Sequence, residues 1–309
     1  MEALIPEFDW QRVVIDPWTV DVASSIWIVL MGFFVAAACG LVGNFLLLRR
    51  MALIGDAISH SILPGLVLAF VVFKSLSIWV SFAGALTAGI ATAAVIEFIH
   101  EHSRVKADAA ICIAFTTFFA LGVAMMSMLE AKGSIHLDAE CVLYGEIAFV
   151  PLEMPMEWLG VEWGPPSVVR MGLMLVTVVI LIIAFFKELM ITSFDPGLAD
   201  SLGMRPRLWH YGLMGMLALV IVCAFEAVGA IIAVAMLIVP PMFAGQISDR
   251  LSLRLVLTVA HAAVSAVLGF HLSMWLQCTT AGAMVVAGAA LFVAVWMGDL
   301  ALRKWRRVG

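Results

Sequence analysis

The sequence predicts an all-α fold, a polytopic membrane bundle of eight or nine transmembrane helices, and three observations predict it. Of the 309 residues, 64% are hydrophobic and only 13% charged, against about half apolar and about a quarter charged in a soluble domain. Apolar runs long enough to cross a bilayer recur from Ser24 to Met297, with no polar block of domain size between them. Lys and Arg gather in alternate connecting loops, the pattern expected of a chain threaded repeatedly through a membrane. Residues 1–309 are therefore read as a single transmembrane domain, and soluble enzymes, nucleic-acid binders and disordered scaffolds are excluded. In lipid every backbone polar group must be paired within its own segment, so runs of this length are helices and an outer-membrane barrel is excluded too.

The N-terminal segment 1–23 is acidic, with Glu2, Glu7, Asp9, Asp16 and Asp21. The apolar run that follows is too long for the core of a cleaved signal peptide. Spans of about 20 apolar residues fall at 24–48, 52–73, 77–99, 109–128, 168–186, 208–225, 228–247, 253–272 and 279–297. In 228–247, Gly229 and Pro240-Pro241 predict a broken helix, which leaves open eight crossings in place of nine. With the N-terminus outside, the inner loops collect Arg49, Arg50, Arg104, Lys106, Lys187, Arg205, Arg207, Arg250, Arg254, Arg303, Lys304, Arg306 and Arg307. These are thirteen of the seventeen basic residues, so the C-terminus is read as inside, with 298–309 a basic cytoplasmic tail. The loop 129–167 then lies outside, where Pro151, Pro155, Pro165 and Pro166 favour short interfacial pieces and Trp158 and Trp163 suit headgroup level. Five scattered cysteines without a CxxC pair read as small buried hydrophobes. Nineteen dispersed methionines read as core filling.

Asp56 and His60 need a separate explanation. They lie near the inner end of the second span, and an acid at mid-helix costs about 2.5–3.5 kcal/mol to insert. The i, i+4 spacing puts both on one face, with Ser59 beside them. A carboxylate and an imidazole converging on one point suit a borderline divalent cation such as manganese, iron or zinc. Two ligands are too few for such an ion, which takes about four to six, so a symmetry-related second helix is expected to supply the others. A hydrogen-bonded Asp–His pair that fixes packing, and a proton relay, are the alternatives. Asn44, Glu226, His261 and His271 are less specific, and His261 reads as a packing residue. His100-Glu101-His102 lacks the spacing of a zincin helix.

The inner loop 187–207 contains FDPGLADSLGM (194–204). Asp195 suits an N-cap, Pro196 the first helical position, Gly203 a left-handed C-terminal position, and Pro206 stops continuation. The result is a helix of about two turns with Leu198 and Leu202 on one face, unstable alone in water. It either folds onto its own bundle or docks on a cytoplasmic partner. The chain has no GxxxxGK[ST] phosphate loop, so any ATP hydrolysis resides on another polypeptide.

With these residues in view, the chain resembles the permease subunits of ATP-binding-cassette importers for manganese, zinc and iron, the ABC-3 type. The stretches RRMALIGDAISHSILPGLVLAF (49–70), AICIAFTTFFALGV (110–123), HLDAECVLYGEI (136–147), FDPGLADSLGM (194–204) and AVGAIIAVAMLIVPPMFA (227–244) carry the resemblance. It implies a bacterial plasma-membrane protein that pairs with a second permease, identical or related. It further implies two cytoplasmic ATP-binding subunits, an extracytoplasmic metal-binding protein that delivers the ion, and no tightly bound cofactor. By the same resemblance Asp56 and His60 are pathway ligands. Asp195, Pro196, Leu198, Ala199, Leu202 and Gly203 then form a coupling helix for the ATPase. Zinc members often carry a histidine in the fourth span, where this chain has Ala114, Phe115, Thr116 and Thr117, so manganese is the expected cargo, with iron and zinc behind. The segment 148–167 looks longer than the family norm. The rival readings are a proton-coupled secondary metal transporter and, more distantly, an intramembrane metal-dependent hydrolase.

Overall fold

A computed structural model describes residues 6–51, 53–74, 77–131, 146–158 and 161–308. The apolar runs are helices: α1 (Val22–Leu48), α2 (Leu53–Ser61), α3 (Leu63–Phe73), α4 (Ile78–His102), α5 (Ala107–Ala131), α6 (Pro166–Ala184), α7 (Phe186–Phe194), α8 (Pro196–Ser201), α9 (Pro206–Val228), α10 (Ala230–Ile247), α11 (Leu251–Leu276) and α12 (Thr280–Val308). Taking α2 and α3 together, eight segments among the described residues are long and apolar enough to cross a membrane. The remaining expected span, α10, is a shorter apolar helix.

The expectation that Pro240-Pro241 break this helix is corrected by the structure. The interruption is at Gly229, with φ 76°, and α10 runs through both prolines. A proline lacks the N–H for the carbonyl four residues earlier, which frees Leu237 O opposite Pro241. That carbonyl abuts Gly43, where an added Cβ would collide with it. A glycine on the facing helix thus accommodates the oxygen that the proline leaves unpaired, in the manner of a Cα–H···O contact.

By its internal contacts the chain divides into two compact units: Met1–Asn44 with Glu146–Val179 and Ala235–Gly309, and Phe45–Gly145 with Ile180–Val234. In the first unit α11 packs along α12, the Gly269 backbone lying against that of Met284. Asn44 Nδ2 donates to Thr258 Oγ1 at 2.9 Å, so the amide in the first span is a packing bond. His261, as expected, is a buried packing residue, bonded to Gly288 O at 3.1 Å with its ring beside Phe243. The N-terminal segment is fastened to α11: Trp18 Nε1 donates to His271 Nε2 at 3.3 Å and His271 Nδ1 lies 2.9 Å from Val13 O. Carboxylates cap two helices, Glu153 accepting from Ser167 N at 3.0 Å and Glu146 from Thr280 N at 3.2 Å, each placing negative charge at a positive helix start. The segment expected to form short pieces holds a 3-10 turn, Ile147–Leu152, and two antiparallel two-residue strands, β1 (Glu157–Trp158) and β2 (Val161–Glu162).

In the second unit α3 lies against α4 and α5. The backbones of Gly65 and Gly84 touch, and Pro64 Cδ is 2.8 Å from where a Cβ on Gly122 would be, so side chains larger than hydrogen would force these helices apart. Cys39 is buried as expected, but Cys112 and Cys278 are exposed, which corrects their reading as buried hydrophobes. Cys112 belongs to a membrane-spanning helix, where outward apolar surface meets lipid at no penalty. Lys132, Cys141 and most of 136–147 lie outside the described residues.

Candidate functional site

The second span is interrupted where its polar pair sits. Pro64, four residues after His60, offers no amide to the His60 carbonyl, and the helical hydrogen bonding lapses at Ile62 between α2 and α3, although Ile62 keeps helical dihedrals of φ -66° and ψ -30°. Just before this lapse, His60 Nε2 lies 3.4 Å from Asp56 Oδ1, with the side chains 18% and 44% exposed respectively. The two residues share one helix face as the spacing predicts, and that face is open on this chain. Ser59 is not part of the face. It is buried and its hydroxyl donates to the Asp56 carbonyl at 2.8 Å. On the other side of the imidazole, α5 supplies an apolar wall, with the rings of Phe115 and Phe119 centred 5.3 and 5.8 Å away. One carboxylate and one imidazole nitrogen are therefore presented together, backed by aromatic surface. Among the described residues no group of three or more His, Cys, Asp or Glu side chains is placed to hold a metal ion. A single copy offers half of a four-coordinate donor set.

The inner segment is built as its local chemistry predicts. Asp195 Oδ1 accepts from Leu198 N at 2.9 Å and Pro196 opens α8. Gly203 N donates to Asp200 O and Met204 N to Ala199 O, both at 3.0 Å, with Gly203 at φ 76°. This paired closure is a Schellman motif, and the left-handed residue is a glycine because a Cβ would be strained there. Ala199 is buried, whereas Leu198 is 49% and Leu202 58% exposed. The apolar face is thus not folded onto its own unit. One part of the inner loop differs from expectation: residues 186–194 are not loop but α7, which begins after a break at Phe185.

Sequence reasoning missed a polar group beside this segment. Arg49, just past α1, donates from Nε to Ser193 Oγ at 3.0 Å and from Nη2 to Thr192 Oγ1 at 3.1 Å, both near the end of α7. Its Nη1 lies 3.2 Å from His210 Nδ1 on α9. Guanidinium has no acceptor, so that nitrogen accepts and the ring proton is on Nε2. Nε2 faces Glu97 Oε2 of α4 at 3.3 Å. Burial lowers the pKa of Arg49 from its ordinary value. The cleft beside the group encloses about 380 Å³ and reaches Pro196 at the start of α8. Glu97, an acid inside an apolar helix, was the signal available in the sequence. The neighbouring His100-Glu101-His102 belongs to α4 and not to a loop: Glu101 pairs with Arg207 at 2.9 Å and His102 stacks on Phe98.

The fold is that of a multi-pass membrane protein, with a polar pair in one span and a capped, half-exposed apolar helix between two others. The chain belongs to the ABC 3 transport family, whose model matches residues 23–299. It is 42% identical over 271 residues to the manganese transport system membrane protein MntD of Bacillus subtilis, covering 88% of this chain and 90% of that protein. It is 40% identical to the zinc transport system membrane protein TroD of Treponema pallidum, covering 87% of this chain and 72% of that protein. Among solved structures it is similar to PsaBC from Streptococcus pneumoniae in complex with Fab. That match has a TM-score of 0.73 and 30% identity, and covers 92% of this chain and 94% of that one. The protein is therefore a multi-pass permease of the bacterial inner membrane.

Proposed function

We propose that this chain is the membrane-spanning subunit of an ATP-driven importer of divalent transition-metal ions, with manganese the favoured cargo and zinc or iron the alternatives. The observation that carries the reading is the Asp56–His60 pair, one helical turn apart and open on one face within a membrane span. An oxygen and a nitrogen ligand of moderate strength allow both capture and release, whereas an all-thiolate site would retain the ion. A second permease, identical or related, supplies the other half of the donor set across a two-fold axis. The choice of manganese is supported by the names of the relatives, since manganese transport proteins are prominent among them. Hydrolysis takes place on two cytoplasmic ATP-binding subunits, and an extracytoplasmic binding protein delivers the ion, the arrangement that the family membership supports. The N-terminus lies outside and the C-terminus in the cytoplasm, which sets thirteen of the seventeen basic residues on the inner side. Asp195, Pro196, Leu198, Ala199, Leu202 and Gly203 then form the docking helix for the ATPase, moving the pathway between outward and inward states.

The test is uptake of radiolabelled manganese by the intact complex in proteoliposomes, with zinc and iron as competitors. Asp56→Ala and His60→Ala should each abolish uptake while the purified complex keeps its assembly. Wild-type uptake in both variants would end the reading, and uptake driven by a pH gradient without ATP would replace it with a secondary transporter.

A further inference from the structure

Force applied to α8 is useful only if something rigid carries it onward. A six-residue helix with an exposed apolar face cannot do so alone. Thr192 and Ser193 lie three and two residues before the Asp195 cap, buried at the end of α7. Both hydroxyls accept from the one guanidinium of Arg49, and the same guanidinium reaches His210, which in turn reaches Glu97. Arg49 thereby ties the end of α1 directly to the end of α7, which leads into α8, and to the start of α9, and through His210 to the inner half of α4. The planar fork suits this task because its donors diverge in fixed directions, which an ammonium on a flexible stem does not reproduce.

We propose that Arg49 is a positioning residue for transport, a rigid bracket that transmits displacement of the 195–203 segment into the membrane helices α1, α4 and α9. The inference rests on the importer reading above and adds to it the part that links the docking helix to the pathway helices. Arg49 touches neither the ion nor the nucleotide in this scheme. Its loss should leave the ATPase turning over while transport per nucleotide falls.

The experiment uses the complete complex in proteoliposomes, recording ATP hydrolysis, radiolabelled manganese uptake and the thermal unfolding midpoint for each variant. Arg49→Lys keeps a positive charge but not the fork. The pair Thr192→Val with Ser193→Ala keeps the guanidinium and removes its acceptors on α7. Losing a charge-assisted bond or two predicts a fall of about tenfold in manganese moved per ATP for Arg49→Lys, with hydrolysis within about twofold of wild type. The Thr192/Ser193 pair should fall in the same direction. Equal transport per ATP in the Thr192/Ser193 pair and in any Arg49→Lys complex that assembles overturns the proposal. So does a parallel loss of hydrolysis, uptake and thermal stability, which marks a purely structural role. If the wild-type complex shows no ATP-driven uptake at all, the importer reading fails and takes this inference with it, a result distinguishable from failure in the variants alone.

Discussion

Replacing Leu198 and Leu202 together by alanine removes the half-exposed apolar face of α8. The two side chains are 49% and 58% exposed, so each retains about half of its burial energy for a partner. Full burial of a leucine is worth about 1.5–3 kcal/mol, which gives about 1 kcal/mol for each half and about 2 kcal/mol for the pair. That corresponds to roughly thirtyfold weaker docking of the ATP-binding subunit. The half of each side chain already buried on this chain is lost as well, so the permease itself should unfold about 1–2 kcal/mol below wild type while remaining folded. The assay titrates the purified permease in lipid nanodiscs with its ATP-binding subunit and then measures manganese transport per ATP. Leu198→Glu, which would also bury a charge in the interface, should be more severe than the alanine pair and uncouple hydrolysis from transport. Unchanged affinity and unchanged coupling in a folded Leu198→Ala/Leu202→Ala protein would refute the assignment of 195–203 as a docking helix.

Two further outcomes follow from local geometry. Asp195→Ala removes the carboxylate that accepts from Leu198 N, worth about 1 kcal/mol. Hydrogen exchange at the Leu198 amide should then quicken about fivefold, and an unchanged rate would show that the cap is not what holds the first turn. Gly43→Ala drives a methyl group into Leu237 O, with Pro241 Cγ 3.2 Å away, and should destabilise the protein by about 1–3 kcal/mol as overpacking does. Thermal unfolding in detergent measures this, and an unaltered midpoint would mean that α1 and α10 are not in the close contact described.

The features legible in the sequence are those whose physics is local. A run of about 20 apolar residues has one stable form in lipid, so the spans are legible, whereas helix outside them is not: α12 runs on from the span at 279–297 to Val308, and α7 fills residues that read as loop. The common face of Asp56 and His60 follows from helical periodicity, and the cap and closure of α8 follow from Asp195, Pro196 and Gly203, each acting within a turn of its own position. The continuity of α10 through Pro240 and Pro241 is not legible in this way, because the fate of a freed carbonyl depends on what lies opposite. A glycine about two hundred residues away in the chain, Gly43, decides it.

Residue types thus determined membrane insertion, the approximate place of each apolar span and the common face of the polar pair, since burial cost and backbone pairing are set by composition and short spacing. Only the tertiary structure decided that the pair is walled by Phe115 and Phe119, that Leu198 and Leu202 stay uncovered, and that Arg49, counted in the sequence merely as an inner-side charge, gathers Thr192, Ser193 and His210. These groups come from segments far apart in the chain. Their meeting depends on how helices pack, which periodicity within a single helix does not encode.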